Sequence, residues 1–125
     1  MLELAEGWRL ELDFSTDWMF LRLHCHGYDA DSSPPLAERV WSIADQHDIN
    51  RIVIEVDHET LLNSYLVGQF ILLHKRAHLS DGVMRLCGLS PQNYRVIELM
   101  RLDDRFPNYP DREHAVMGTR PHKPR

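Results

Sequence analysis

From Trp8 to Phe14 the chain runs Trp-Arg-Leu-Glu-Leu-Asp-Phe, apolar and polar in alternation, and Trp18 to His24 continues in the same style after Ser15-Thr16-Asp17. A two-residue period is that of a strand with one buried face, so the segment predicts two N-terminal strands joined by a turn. The period then changes. Ser33-Pro34-Pro35 has the form of an N-cap followed by helix-opening proline, and Leu36, Val40, Ile43 and Ala44 recur at helical spacing, predicting a helix that ends near His47. Arg51-Ile52-Val53-Ile54-Glu55-Val56 is β-branched and almost continuously apolar, as suits a central strand covered on both faces. From about Ser64 to His78 helical spacing returns with Val67, Phe70, Ile71, His74 and Ala77. Lys75 and Arg76 near that end suit the negative pole of the helix dipole.

Ser80-Asp81-Gly82 marks a turn, Val83 to Cys87 a further strand, and Gly88-Leu89-Ser90-Pro91 both closes it and caps a third helix carrying Val96, Ile97 and Met100. Arg105 to Tyr109 is a short terminal strand, after which Asp111 can cap a last helical turn through Val116. The predicted order is β-β-α-β-α-β-α-β-α. Strands alternating with helices imply an α/β domain: a mixed, mostly parallel central sheet of about five strands with helices packed on it. Residues 1–117 form this one domain. In 118–125 the cations Arg120, Lys123 and Arg125 interleave with Pro121 and Pro124, which predicts a disordered basic tail.

Composition narrows the class. At 125 residues and 43% hydrophobic content, the chain can bury one core. It has no apolar run of the roughly 18 to 20 residues that span a bilayer, and Met1-Leu2-Glu3-Leu4-Ala5-Glu6 lacks the basic start of a signal peptide. A cytoplasmic protein without membrane association is expected. The net charge of −5 argues against nucleic acid as a partner, because phosphate contacts demand a basic surface. Cys25 and Cys87, both in predicted strands, give no disulfide framework and are expected to be buried, reduced thiols.

Candidate chemistry is thin. In His24-Cys25-His26 the two histidines share a strand face and the cysteine points opposite, so three ligands do not converge, and a third from His47, His58, His74 or Asp29 would need a fold contact the sequence does not show. No metal and no cofactor is expected. His74 lies on the apolar stripe of its helix, a core-edge position rather than that of a general base, and the adjacent Asp103-Asp104 pair serves the turn before Phe106. There is no glycine-rich phosphate loop, nucleophile elbow or cysteine with a recognisable base. The expectation is a protein that is not an enzyme.

Three stretches carry a family resemblance: Leu72-Leu73-His74-Lys75-Arg76-Ala77, Met84 to Pro91 (Met-Arg-Leu-Cys-Gly-Leu-Ser-Pro), and Val96-Ile97-Glu98-Leu99-Met100-Arg101-Leu102-Asp103 running into Arg105-Phe106-Pro107-Asn108-Tyr109. Across Arg51 to Tyr109 the chain resembles the STAS domain of bacterial anti-sigma-factor antagonists. The resemblance implies a non-enzymatic signalling protein in transcription regulation by partner switching, one that binds a protein partner, an anti-sigma factor or serine-kinase-like protein. It also implies control by phosphorylation of a loop serine. In phosphorylatable relatives the helix opens Asp-Ser-Ser-Gly-Leu-Gly; the matching stretch is Asn63-Ser64-Tyr65-Leu66-Val67-Gly68, with tyrosine where the acceptor serine stands.

Ser64 is then the candidate phosphorylation site, because a phosphate at a helix N-terminus meets free amides and the dipole. Asn63 or Ser64 as an ordinary helix cap is the plainer reading. The expected partner-binding surface comprises Asp57, His58, Glu59 and Thr60 in the loop, with Asn63, Ser64, Tyr65 and Gly68 at the helix start. Tyr65 is either an exposed aromatic anchor or packed inward. The alternative is a small-molecule or nucleotide-binding module using the same helix N-terminus. A homodimer is left open.

Overall fold

A computed structural model describes residues 2–5, 7–25 and 34–118. Among them are β1 (Leu2–Ala5), β2 (Trp8–Phe14), β3 (Met19–Cys25), α1 (Leu36–Gln46), β4 (Arg51–Val56), α2 (Ser64–Leu79), β5 (Val83–Cys87), α3 (Pro91–Leu99), β6 (Asn108–Tyr109) and α4 (Arg112–Met117). The strands form one sheet in the order β1-β2-β3-β4-β5-β6. The β1–β2 and β2–β3 pairs are antiparallel and the remaining three parallel, so the expected mixed, mostly parallel α/β architecture is what the chain adopts.

Two elements depart from expectation. The first strand, β1, was not anticipated, since four residues are too few for alternation to stand out; it pairs Leu2 with Leu10 and places Leu4 in the core. The sheet therefore has six strands, not about five. The last strand is shorter than the predicted Arg105–Tyr109: only Asn108 and Tyr109 pair with β5, opposite Leu86 and Cys87, and Pro107 offers no amide to extend the ladder.

Alternation along the strands divides the sheet into two unlike faces. Leu10, Leu21, Leu23, Ile52, Ile54 and Leu86 point to one side and are fully buried beneath α1, α2 and α3, where Leu36, Val40, Leu66, Phe70, Leu73 and Ile97 meet them. Among the described residues the other side is covered only at the β4–β5 end, by the six residues of α4, which with Trp18 seals a small cluster of Val53, Cys87, Tyr109 and Ala115. Central strand β4 is thus covered on both faces at Val53 and only half-covered at Glu55.

Helix ends follow local chemistry. Asn63, Ser90 and Asp111 accept the amides of Leu66, Asn93 and His114 as N-caps of α2, α3 and α4. The expected cap Ser33 lies outside the described residues, as do His26, Asp29 and the tail from residue 119. Pro35 occupies the cap position of α1 without a side-chain bond, and Gln69 Oε1 of α2 accepts the Ala37 amide at 3.0 Å instead. At Gly82, before β5, a Cβ would collide with the Asn50 carbonyl, so only glycine fits.

Candidate functional site

The β4–α2 loop leaves the sheet after Val56 and is held from beneath by a side chain that the sequence did not single out. Asn93, on α3 and 1% exposed, accepts the Leu62 amide on Oδ1 at 3.0 Å and donates Nδ2 to the Thr60 carbonyl at 2.8 Å. A carboxamide holds an acceptor and a donor side by side, so the one side chain satisfies an amide and a carbonyl at once. Asn108 repeats the device one loop away, exchanging two 3.1 Å bonds with the Leu89 backbone. Gly88, at φ +64°, donates its amide to the Tyr109 carbonyl at 2.8 Å, and a ring nitrogen of His58 lies 3.1 Å from the Gly88 carbonyl. The two loops at this end of the sheet are tied to α3, to β6 and to each other.

The expected contact residues divide on this frame. His58, Glu59, Asn63 and Ser64 are exposed, and Ser64 is the first residue of α2. Thr60 does not face outward: it is 1% exposed and its Oγ1 accepts the Cys25 amide at 2.9 Å, tying the loop to β3, so the hydroxyl expected to meet a partner is spent internally. Asp57 is half-buried and turns to the open sheet face, 3.3 Å from His24 and 3.7 Å from Arg22. Tyr65 is intermediate between the two alternatives. The residue is 37% exposed while its hydroxyl donates to the Pro34 carbonyl at 2.9 Å. A Cβ on Gly68 would meet nothing within 4 Å, so glycine is not required there by the fold.

Leu61, 60% exposed, is an apolar member of this surface that periodicity had no means to flag, since a loop has none. Beside it Tyr65 forms one wall of a groove of about 620 Å³ between α1 and α2, with Trp41, Leu72 and Arg76 further along; the Arg76 guanidinium lies 5.8 Å from the Trp41 ring centre. Asn63 caps α2 by taking the Leu66 amide at 2.9 Å, so one of the donors an anion would use at this helix start is already engaged.

The other chemical candidates fall in separate places. His24 lies between Glu11 at 3.1 Å and Asp57 at 3.3 Å, His47 stacks on Phe14 at 4.4 Å, and among the described residues no three His, Cys, Asp or Glu side chains are placed to hold a metal. Hydrogen bonding to His24 holds the Glu11 carboxyl below its usual range. His74 packs edge-on against Phe106, centroids 5.3 Å apart; burial first, then the charges of Arg105 and His78, hold its imidazole below the usual histidine range. Neither cysteine forms a disulfide. Cys87 is buried as expected, its thiol pushed up to about 12 by burial and the Glu55 carboxylate, whereas Cys25, at the end of β3, is only half-buried. No helix among the described residues is long and apolar enough to cross a membrane.

Comparison with known proteins gives the same architecture. The fold is similar to the NMR structure of the protein TM1081 (TM-score 0.68, 16% identity, covering 85% of this chain and 84% of that one). It is similar to the anti-sigma factor antagonist SpoIIAA in its unphosphorylated form (TM-score 0.66, 15% identity, 89% and 98%). It is also similar to an anti-sigma factor antagonist from Mycobacterium paratuberculosis (TM-score 0.62, 18% identity, 94% and 97%). At such identities these likenesses establish the fold. The model of the STAS domain matches residues 12–115, a span wider than the Arg51–Tyr109 segment whose motifs carry the resemblance, and the chain belongs to the STAS domain family.

Proposed function

We propose that this chain is a non-enzymatic regulatory protein that binds a protein partner, an anti-sigma factor or serine-kinase-like anti-sigma factor, through the β4–α2 loop and the start of α2. The observation that carries the reading is the clamped loop. With Asn93 and Thr60 fixing the backbone from inside, His58, Glu59, Leu61, Ser64 and Tyr65 are presented outward on a scaffold that loses little freedom on docking. An exposed leucine and a half-exposed tyrosine among polar groups have the composition of a small contact patch. Two of the fold relatives are named anti-sigma factor antagonists, which favours this class of partner over a substrate.

Ser64 is the proposed modification point. Its hydroxyl is exposed at the first residue of α2, where a phosphate would add about −1.5 to −2 charges next to free helix amides. Tyr65, with its hydroxyl bound to Pro34, serves docking rather than switching. The test is affinity capture of partners from lysate of the native cells with ATP present, followed by peptide mass spectrometry. Leu61→Ala and Tyr65→Ala should each lower recovery of the specific partner at least tenfold with unchanged thermal unfolding, and phosphate should map to Ser64. Undiminished recovery by both variants would overturn the docking surface.

A further inference from the structure

The opposite end of the sheet carries a second concavity that partner docking leaves unused. A pocket of about 280 Å³ opens where the last turns of α2 pass the beginning of β5 and the segment leading into β6. His74, His78, Arg85 and Arg105 line it, together with Tyr109 and Gly118, and none of its lining residues is an aspartate or glutamate. In a chain of net charge −5 this is a local reversal of sign.

Three features bear on the positive character of this lining. First, the groups that act electrostatically on His74 are Arg105 and His78, and both disfavour its protonation. Second, the ion pairs of Glu11, Asp13, Glu55, Asp57 and Asp111 go to His24, Arg22, Arg112 and His114, away from this pocket. Third, Arg85 is held in place with donors to spare. Its Nη1 donates to the Ala115 and Val116 carbonyls at 2.8 and 3.3 Å, and its guanidinium lies 5.8 Å from the Trp18 ring centre. Its Nη2 donates to no described residue, and Gly118 packs so closely on the guanidinium that a Cβ there would lie 3.0 to 3.1 Å from Nη2, Cζ and Nη1.

The short β6 completes the site. It pairs with Leu86 and Cys87 only, so among the described residues Val83, Met84 and Arg85 have no neighbouring strand on that edge, and the pocket occupies the space a longer strand would fill.

We propose that this pocket binds a phosphate dianion, either free orthophosphate or the phosphate of a small phosphomonoester. Two guanidinium groups match a dianion in charge and in planar donor geometry, and the two imidazoles add N–H donors in either protonation state. The volume is at the lower edge of the roughly 300–1,000 Å³ usual for small-molecule sites, which suits the ion with a compact substituent. The site is at the far end of α2 from Ser64 and stands or falls independently of partner docking.

The test is a titration of the ¹⁵N-labelled full chain with sodium phosphate at pH 7, sodium chloride being lowered to keep ionic strength constant. Amide shifts of Val83, Met84, Arg85 and Gly118 should move and saturate, while those of Ser64 to Leu66 stay fixed. Arg105→Gln, an exposed change, should weaken binding at least tenfold, and His78→Gln severalfold. A parallel titration with glycerol 3-phosphate separates the two sources: tighter saturation by the ester assigns the phosphomonoester, tighter saturation by phosphate the free ion. Shifts that rise linearly with either ligand, that survive Arg105→Gln unchanged, or that centre on the start of α2 would overturn the proposal.

Discussion

The two faces of the sheet are built from alternate residues of the same strands and are held by different physics. On the helix side, Leu10, Leu21, Leu23, Ile52, Ile54 and Leu86 lose all contact with water. On the other, Arg9, Glu11 and Asp13 of β2 oppose His24, Arg22 and Phe20 of β3, and beyond them Asp57 pairs with Arg22 and His24 while Glu55 pairs with Arg112 of α4. Burial of a leucine or isoleucine contributes about 1.5–3 kcal/mol, whereas an exposed ion pair contributes about 0–1 kcal/mol. Stability is therefore concentrated on the helix side, and on the other face it is the charged positions outside the Val53, Cys87 and Ala115 cluster that can change at little cost.

The largest test of that asymmetry is Phe70→Ala, in the middle of α2 over the apolar face. It should cost about 3–5 kcal/mol in urea denaturation, with most of the shift in midpoint rather than slope. Asn93→Ala is next: it leaves the Leu62 amide and the Thr60 carbonyl unpaired, at about 1–3 kcal/mol each before relaxation, and should speed hydrogen exchange at Leu62 more than in the strands. If Asn93→Ala proved neutral, the loop would not be clamped as described.

The pH dependence of His74 should be smaller. The folded state holds its imidazole below the usual histidine range, so as pH falls through that range the unfolded chain takes up a proton that the folded chain resists. Stability therefore declines with falling pH there and levels off once the folded state is also protonated; His74→Leu should flatten that part of the profile. On the charged face Arg22→Gln should change unfolding by no more than about 0.5 kcal/mol, and a loss of 2 kcal/mol or more would break the contrast between the faces. Cys87 gives the chemical version of the test. With its thiol pushed up to about 12, iodoacetamide at pH 8 should leave it unlabelled in the native protein and modify it in denaturant.

Much of the architecture was legible because periodicity is a local signal. The alternation in β2 and β3, the helical stripe of α2 with its Asn63 cap, and the Ser90-Pro91 start of α3 are where the pattern placed them. The strand β1 was missed because four residues carry too little alternation, and β6 was overdrawn because Arg105-Phe106 is a β-like pair that the fold uses as a buried plug and an exposed cation instead. The site was less legible for a different reason. Asn93 meets Thr60 from 33 residues away, and Tyr65 meets Pro34 from 31. Such partnerships exist only once the sheet has formed, so a polar residue in a loop, Thr60, was taken for surface when it is 1% exposed.

The strand order β1 to β6 follows the order of the chain, so each new strand is added beside the one just synthesised and none is inserted between two already in place. Each closure spans only the intervening helix or turn, which keeps the loop-entropy cost of every step low. A chain emerging slowly from a ribosome can therefore lay down its sheet from one edge to the other, and the last pieces to arrive, β6 and α4, are those that pin Leu89 and cover Cys87. By this route the β4–α2 and β5–α3 loops settle only after almost all of these elements have formed.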